Sequence, residues 1–298
     1  RGLVGSEMCI RDSFRVECGE MSEDDKAFFK KLWFNGLGEF FYRNGIKTDI
    51  DSFVRIDAPE PKNIPQCEDY VSSGIEIVPV GGGKDSAVTT ELLHPFGDKL
   101  RFFTVNDQPA RTQCVLAGGY SEDKIIKIYR TIDPELLKRN AEGFLNGHTP
   151  FSSVVAFISM YAGFIEGAND VILSNESSAN ESNIGGESVN HQYSKSFEFE
   201  RDFDEFRRRN FPQSAVYFSL LRPFCELQIA KQFSQYKQYH LIFRSCNRGS
   251  KKNIWCCECP KCLFVAIMLS PFLPPDELNS IFGCDMLAVS YTHLTLPT

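Results

Sequence analysis

Residues Ile75–Ser86 read IEIVPVGGGKDS: a short apolar, β-branched run, three consecutive glycines, then Lys84, Asp85 and Ser86. The apolar run has the length of a buried strand, and a helix is expected to start near Ala87. Three glycines let the backbone turn sharply and bring its amides close to an anion. A helix N-terminus just beyond adds free N–H groups and a favourable dipole. Lys84 and Ser86 contribute a charge and a hydroxyl, and Asp85 a carboxylate able to hold the Mg²⁺ that travels with nucleotide phosphates. A plain glycine turn would explain the glycines but not Lys-Asp-Ser at a helix start. The spacing is neither G-x-x-x-x-G-K-[ST] nor G-x-G-x-x-G, so this is a different kind of phosphate loop.

Working outward, Leu100–Val105 (LRFFTV) and Lys124–Tyr129 (KIIKIY) predict two more strands, and Asp170–Ser174 (DVILS) a fourth. Asp133-Pro134 and Thr149-Pro150 are N-cap and first-turn proline signals. The helix after Pro150 is apolar nearly all round, from Val154 to Ile165, and is expected to be buried. Strands alternating with helices in this way predict an α/β fold, a doubly wound parallel sheet with helices on both faces. Before it, Lys26–Tyr42 carries apolar residues near a helical period, and Asp57–Pro65 (DAPEPKNIP) has the prolines of a linker or extended crossing.

The fourth strand runs into SNESSANESNIGGE, residues 174–187, followed by His191. In a doubly wound sheet such a loop leaves a strand's carboxyl end, where ligands bind. Its composition alone suits a solvated loop equally well; its position after a strand favours function. Glu176, Glu181 and His191 are the candidates there for a general base and acid.

Five of the eleven cysteines lie between Cys246 and Cys262, in a chain with no visible secretory leader. That clustering favours metal over disulfides. Cys246, Cys256, Cys259 and Cys262 form C-x9-C-x2-C-x2-C, a spacing suited to a closed, structural Zn²⁺ site. Cys257 stands where it could replace one of the four. A redox pair fits less well, because the run holds too many thiols for a simple exchange site.

The chain has 298 residues and a formal charge of −7 without a basic block. That balance disfavours a nucleic-acid surface, and tRNA or DNA least suits it. No stretch approaches a membrane span in length, and a cytoplasmic location is expected. Gly2–Asp12 and Val289–Thr298 resemble translated sequencing adaptors, so residues 1–13 and 289–298 are expected to be non-native.

GGGKDS resembles the pyrophosphate loop, usually S-G-G-x-D-S, of the N-type ATP pyrophosphatases (PP-loop ATPases), with Gly81 in place of the serine. Arg222–Tyr236 loosely resembles their late P-L-x-x-L-x-K-x-E-I helix. The resemblance implies a five-stranded parallel sheet and cleavage of ATP to AMP and pyrophosphate. It gives Gly81, Gly82, Gly83 and Ser86 to pyrophosphate, Lys84 to charge balance, Asp85 to Mg²⁺, and Asn106 to the adenine end. LWFNGLGEFFYRNG (32–45), PVGGGKDS, SNESSANES and RSCNRG…WCCECPKC taken together resemble the UDP-N-acetylmuramoyl-L-alanyl-L-glutamate epimerase family. This resemblance implies ATP-dependent epimerisation of the terminal glutamate in a peptidoglycan precursor, a small-molecule UDP-muramyl-dipeptide substrate, and structural zinc. It further implies a remnant of an N-terminal domain and linker at 14–65 and a PP-loop domain at 66–288, with the knuckle at 246–262. A 7-cyano-7-deazaguanine-synthase-like or tRNA-modifying ligase shares the loop and knuckle, and a non-catalytic nucleotide-binding zinc module is the alternative of another class.

Overall fold

The computed structural model describes residues 13–61, 70–106, 108–147, 149–180, 193–246 and 248–286. Its strands are β1 (Ser13–Arg15), β2 (Arg55–Asp57), β3 (Ile75–Pro79), β4 (Leu100–Val105), β5 (Ile125–Ile128), β6 (Ala168–Leu173) and β7 (Val216–Ser219). The α-helices are α1 (Glu23–Gly36), α2 (Gly38–Arg43), α3 (Lys84–Leu92), α4 (Pro109–Ala117) and α5 (Pro134–Ala141), then α6 (Phe151–Glu166), α7 (Phe197–Asn210), α8 (Glu226–Phe233), α9 (Pro260–Leu269) and α10 (Pro275–Phe282). They belong to two compact units, each assembled from separate stretches of chain. One comprises Arg1–Tyr70, Thr131–Ala156 and Ala179–Ser214; the other comprises Val71–Arg130, Phe157–Ser178 and Ala215–Thr298.

The second unit carries a five-stranded sheet in the order β5-β4-β3-β6-β7, and every pairing is parallel. The four strands expected from the sequence are present, with ends displaced by one or two residues. The fifth, β7, is short and lies at the sheet edge with Val216 exposed, so its apolar pattern is too brief to stand out. Ile77, Val78, Leu100 and Phe102 are wholly buried, as a central parallel sheet covered on both faces requires. Around one face a core of Val115, Leu221, Ile229, Phe233, Phe243, Val265 and Leu269 joins the sheet to the helices.

The strand order decides which loops meet at the carboxyl edge of the sheet. From β3 the chain steps outward to β4 and β5, then returns to place β6 on the other side of β3. The loops after β3 and β6 therefore diverge at the carboxyl ends of neighbouring strands, which is the switch point of a doubly wound sheet.

The helix expected to be buried all round, α6, is not. Ser159 and Ala162 are buried, whereas Tyr161 is 65% and Ile165 64% exposed. Small residues set the buried side: a Cβ at Gly163 would stand 3.4 Å from Val171 and 3.7 Å from Ala168 on β6. Apolar composition therefore overstated burial.

In the first unit, Ser22 caps α1: its hydroxyl accepts from the Asp25 N–H, and its own N–H donates to the Asp25 carboxylate. Phe28 of α1 stacks on Phe206 of α7 at 4.7 Å, and Asn210 donates to Asp25 at 2.8 Å. Of the expected linker at 57–65, Asp57 ends β2, and residues 62–65 lie outside the described residues. Among the described residues, no helix is long and apolar enough to cross a membrane.

One element of the sheet carries a charge problem. Glu76 on β3 is 4% exposed and stands in register with Asp170 on β6, with Asn169 donating to it at 3.4 Å. Burial first, and then repulsion from Asp170, push the Glu76 carboxyl up to about 7. The folded chain thus holds a proton that the unfolded chain releases near pH 4.3. The stabilising contribution is full below that pH and is lost as pH rises through about 7. Replacing Glu76 by Gln should leave stability unchanged below about pH 4 and raise it by roughly 2–3 kcal/mol above pH 8. Denaturant unfolding of both forms across pH measures the difference; a constant offset would refute the assignment.

Candidate functional site

The glycine loop leaves β3 at the switch point, anchored by the Val80 N–H donating to the Phe103 carbonyl at 2.9 Å. Its helix begins earlier than expected: α3 starts at Lys84, with Gly83 as N-cap, so Lys84, Asp85 and Ser86 form the first turn. The first intrahelical bond is Ala87 N–H to Gly83 carbonyl at 3.2 Å. The amides ahead of it have no intrahelical partner and face the end of the helix that attracts anions.

The three glycines are not equivalent. Gly82 has φ +81° and a Cβ there would stand 3.1 Å from the Ala110 carbonyl carbon and the Arg111 nitrogen of α4. Gly83 has ordinary φ, and a Cβ would meet Ser245 at 3.5 Å. Gly81 faces open space, with nothing within 4 Å. Only Gly82 is required by both backbone conformation and close approach. Its carbonyl accepts from the Arg244 N–H at 2.7 Å, which ties the loop to the segment entering the cysteine cluster.

Lys84 is 4% exposed, and its Nζ pairs with the carboxylates of Asp85 and Glu226, the latter at 2.8 Å. Burial would lower its pKa, but the two carboxylates outweigh it and hold the ammonium above the usual lysine range. Ser86 spends its hydroxyl on the Gly83 carbonyl at 3.0 Å.

Across the switch point, the loop after β6 brings Glu176 into this charge field. The Glu176 carbonyl accepts from Arg222 at 2.9 Å, one Glu176 carboxylate oxygen accepts from Ser178, and Asn175 donates to Ser219 at 3.1 Å. The other carboxylate oxygen of Glu176 is buried without a hydrogen-bond partner among the described residues. Burial raises the Glu176 pKa; Ser178 opposes the rise, Glu226 and Asp85 add to it, and Lys84 offsets part of it. A carboxyl group held towards neutrality is suited to proton transfer. Glu181 and His191, the other acid–base candidates, lie outside the described residues.

Asn106 closes the end of β4. It has φ +59°, its N–H donates to Ile128 at 2.7 Å, and its side-chain oxygen accepts from the Arg130 N–H at 2.7 Å. Those two bonds lock the β4 and β5 ends together, and the carbonyls of Asn106 and Val105 accept from Arg111, which ties the same end of β4 to α4.

The sulfurs of Cys246, Cys256, Cys259 and Cys262 lie within 4.8 Å of one another. Individual separations are 3.8, 3.8 and 3.5 Å. Four thiolates at about 2.3 Å from a tetrahedral ion stand about 3.8 Å apart, so this donor set fits a metal. The Gly249 N–H points at the Cys246 sulfur at 3.1 Å. Burial pushes that thiol up, yet N–H donors from Cys256 and Gly249 outweigh it and bring it down to about 7. Cys257 is turned away at φ +56°, with its sulfur 3.3 Å from the Phe282 carbonyl.

Glu226 and Arg222 lie in the 222–236 stretch that resembles a PP-loop helix, but that resemblance gives neither of them a role. Glu226 there resembles any acidic residue in a helix's first turn, and only the fold brings it to Lys84.

The chain matches the family model described as MurL N-terminal domain over residues 8–220 and that described as MurL C-terminal domain over residues 242–294. The chain belongs to the MurL family. A UDP-N-acetyl-alpha-D-muramoyl-L-alanyl-L-glutamate epimerase of Xanthomonas oryzae pv. oryzae is 34% identical over 96% of this chain and 64% of that protein. Proteins of the same name from a Micromonospora species and from Salinispora tropica are each 33% identical, over 90% and 88% of this chain and 60% and 58% of their own lengths. The chain thus spans about six-tenths of the length of these curated relatives.

Gly81→Ser should fold with unchanged stability. Gly82→Ala should cost about 1–3 kcal/mol, from the left-handed backbone and the contact with α4. Denaturant unfolding of the two variants tests the ranking, and equal losses would refute it.

Proposed function

We propose that this chain is the ATP-using part of an enzyme that epimerises the terminal L-glutamate of UDP-N-acetylmuramoyl-L-alanyl-L-glutamate to the D form in peptidoglycan precursor synthesis. The reading is carried by the position of Glu176, after the strand next to the glycine loop's own and within electrostatic reach of Lys84 and Asp85, in a chain whose relatives bear that enzyme name. The likeness of the loop to the PP-loop ATPases supports ATP as co-substrate.

The chemistry explains why ATP is needed. Removing the α-proton beside a free carboxylate would create a dianion. If the carboxylate attacks the α-phosphate of ATP, pyrophosphate leaves and an acyl adenylate forms. The carbanion next to that acyl group is delocalised, so a base removes the α-proton and an acid returns one to the opposite face. Water then releases AMP and the D-glutamate product.

The glycine backbone, packed against α4 at Gly82 and left open beside Gly81, suits close approach of the phosphates. Gly81, Gly83 and Ser86 complete that cradle, and Lys84 balances charge within it. Asp85 is the residue to hold Mg²⁺, which when bound neutralises developing phosphate charge. Asn106 lies where the adenine end is expected. Glu176 is our base or acid, with Glu181 or His191 as its counterpart. The four cysteines are assigned to structural zinc, which fits their soft donor set and closed spacing.

The test is to extend the chain to the length of its relatives and incubate it with Mg-ATP and UDP-N-acetylmuramoyl-L-Ala-L-Glu. AMP is followed by chromatography and glutamate handedness by chiral analysis. AMP together with D-glutamate is expected; AMP without inversion would overturn the epimerase reading. Glu176→Gln should slow inversion by about 10²–10⁴-fold while retaining nucleotide binding. For the cysteines, one equivalent of zinc per chain is expected by elemental analysis, lost in Cys259→Ser together with thermal stability. Zinc-free protein of undiminished stability would refute the structural assignment.

A further inference from the structure

Of the two carboxylates paired with Lys84, Glu226 is the less exposed. Its side chain is 15% exposed against 38% for Asp85, though both pair with the same ammonium. A carboxylate that faces the ligand crevice should be open, as Asp85 is; Glu226 instead points at a buried cation. Its backbone is held firmly. It occupies the first turn of α8, where the helix dipole favours a negative charge. The Cys225 N–H is capped by Gln228 at 2.9 Å, and Ile229, Ala230 and Phe233 fix the helix in the core.

Lys84 must be paired, because a desolvated ammonium left alone is costly. With two partners, its charge is divided between a fixed buried carboxylate and an open one. With Asp85 alone, it would bind that carboxylate fully and compete with any cation arriving there. We infer that Glu226 is a positioning residue that shares the Lys84 ammonium with Asp85, so that the Asp85 carboxylate is only partly neutralised and stays able to take the divalent cation of the nucleotide. This rests on the nucleotide reading above and deepens it.

The test uses α,β-methylene ATP, which resists cleavage between the α and β phosphates, with binding followed by calorimetry as magnesium is varied. Wild type, Glu226→Gln, Lys84→Met and the double variant are compared, with melting curves confirming that each is folded. Glu226→Gln is expected to raise the half-saturating magnesium concentration about tenfold. Binding of the magnesium-free analogue should stay unchanged. In the Lys84→Met background the Glu226 substitution should have no further effect, since no ammonium remains to be held. If Glu226→Gln fails to fold, Glu226→Asp, which retracts the carboxylate, should shift the magnesium requirement in the same direction. An unchanged magnesium requirement in a nucleotide-binding protein, or equal Glu226 effects in both Lys84 backgrounds, would overturn the inference alone. A wild-type chain that binds no analogue would instead overturn the nucleotide reading, and this inference with it.

Discussion

A lysine ammonium with almost no access to water sits at the start of α3, and much of the site follows from the need to keep it charged. Two carboxylates do so, one beside it in sequence and one from α8. Because Glu226 belongs to a helix anchored in the core, the pairing joins the loop after β3 to the body of the second unit. The same concentration of negative charge bears on Glu176, whose carboxyl is already made reluctant to ionise by burial. The pairing that holds the loop and the protonation of Glu176 therefore share one electrostatic origin.

The sheet decides which residues can take part. Loops from β3 and β6 lie at adjacent carboxyl ends only because the chain reverses its direction of winding between them. Had β6 been added beyond β5, Glu176 would stand far from the glycine loop, and neither segment would have changed in sequence. The fold contributes the juxtaposition, while the residues contribute the chemistry.

How much could be read without the structure varies with how local each signal is. The glycine loop, four of the five strands and the cysteine spacing were legible because each depends on neighbours within a dozen or so residues. The start of α3 was placed too late, since the Lys-Asp-Ser stretch resembles loop sequence until its backbone is seen to be helical. α6 was read as wholly buried because periodicity counts apolar side chains but does not record which side meets small residues such as Gly163. Glu226 was invisible for a deeper reason: its partner is remote in sequence, and an acidic first turn has an ordinary explanation in helix stability. Glu181 and His191, read on composition and position, fall outside the described residues.

The bond from the Arg244 N–H to the Gly82 carbonyl also alters how substitutions should be grouped. The turn of the glycine loop and Cys246 are remote along the chain, yet only Ser245 separates Cys246 from Arg244, whose amide holds Gly82. The loop's shape is therefore partly a property of how the cysteine segment is folded. A catalogue of variants arranged by sequence position would file cysteine cluster and loop under separate headings; arranged by mechanical connection, they form one class, in which damage at a thiol surfaces as a misshapen glycine loop.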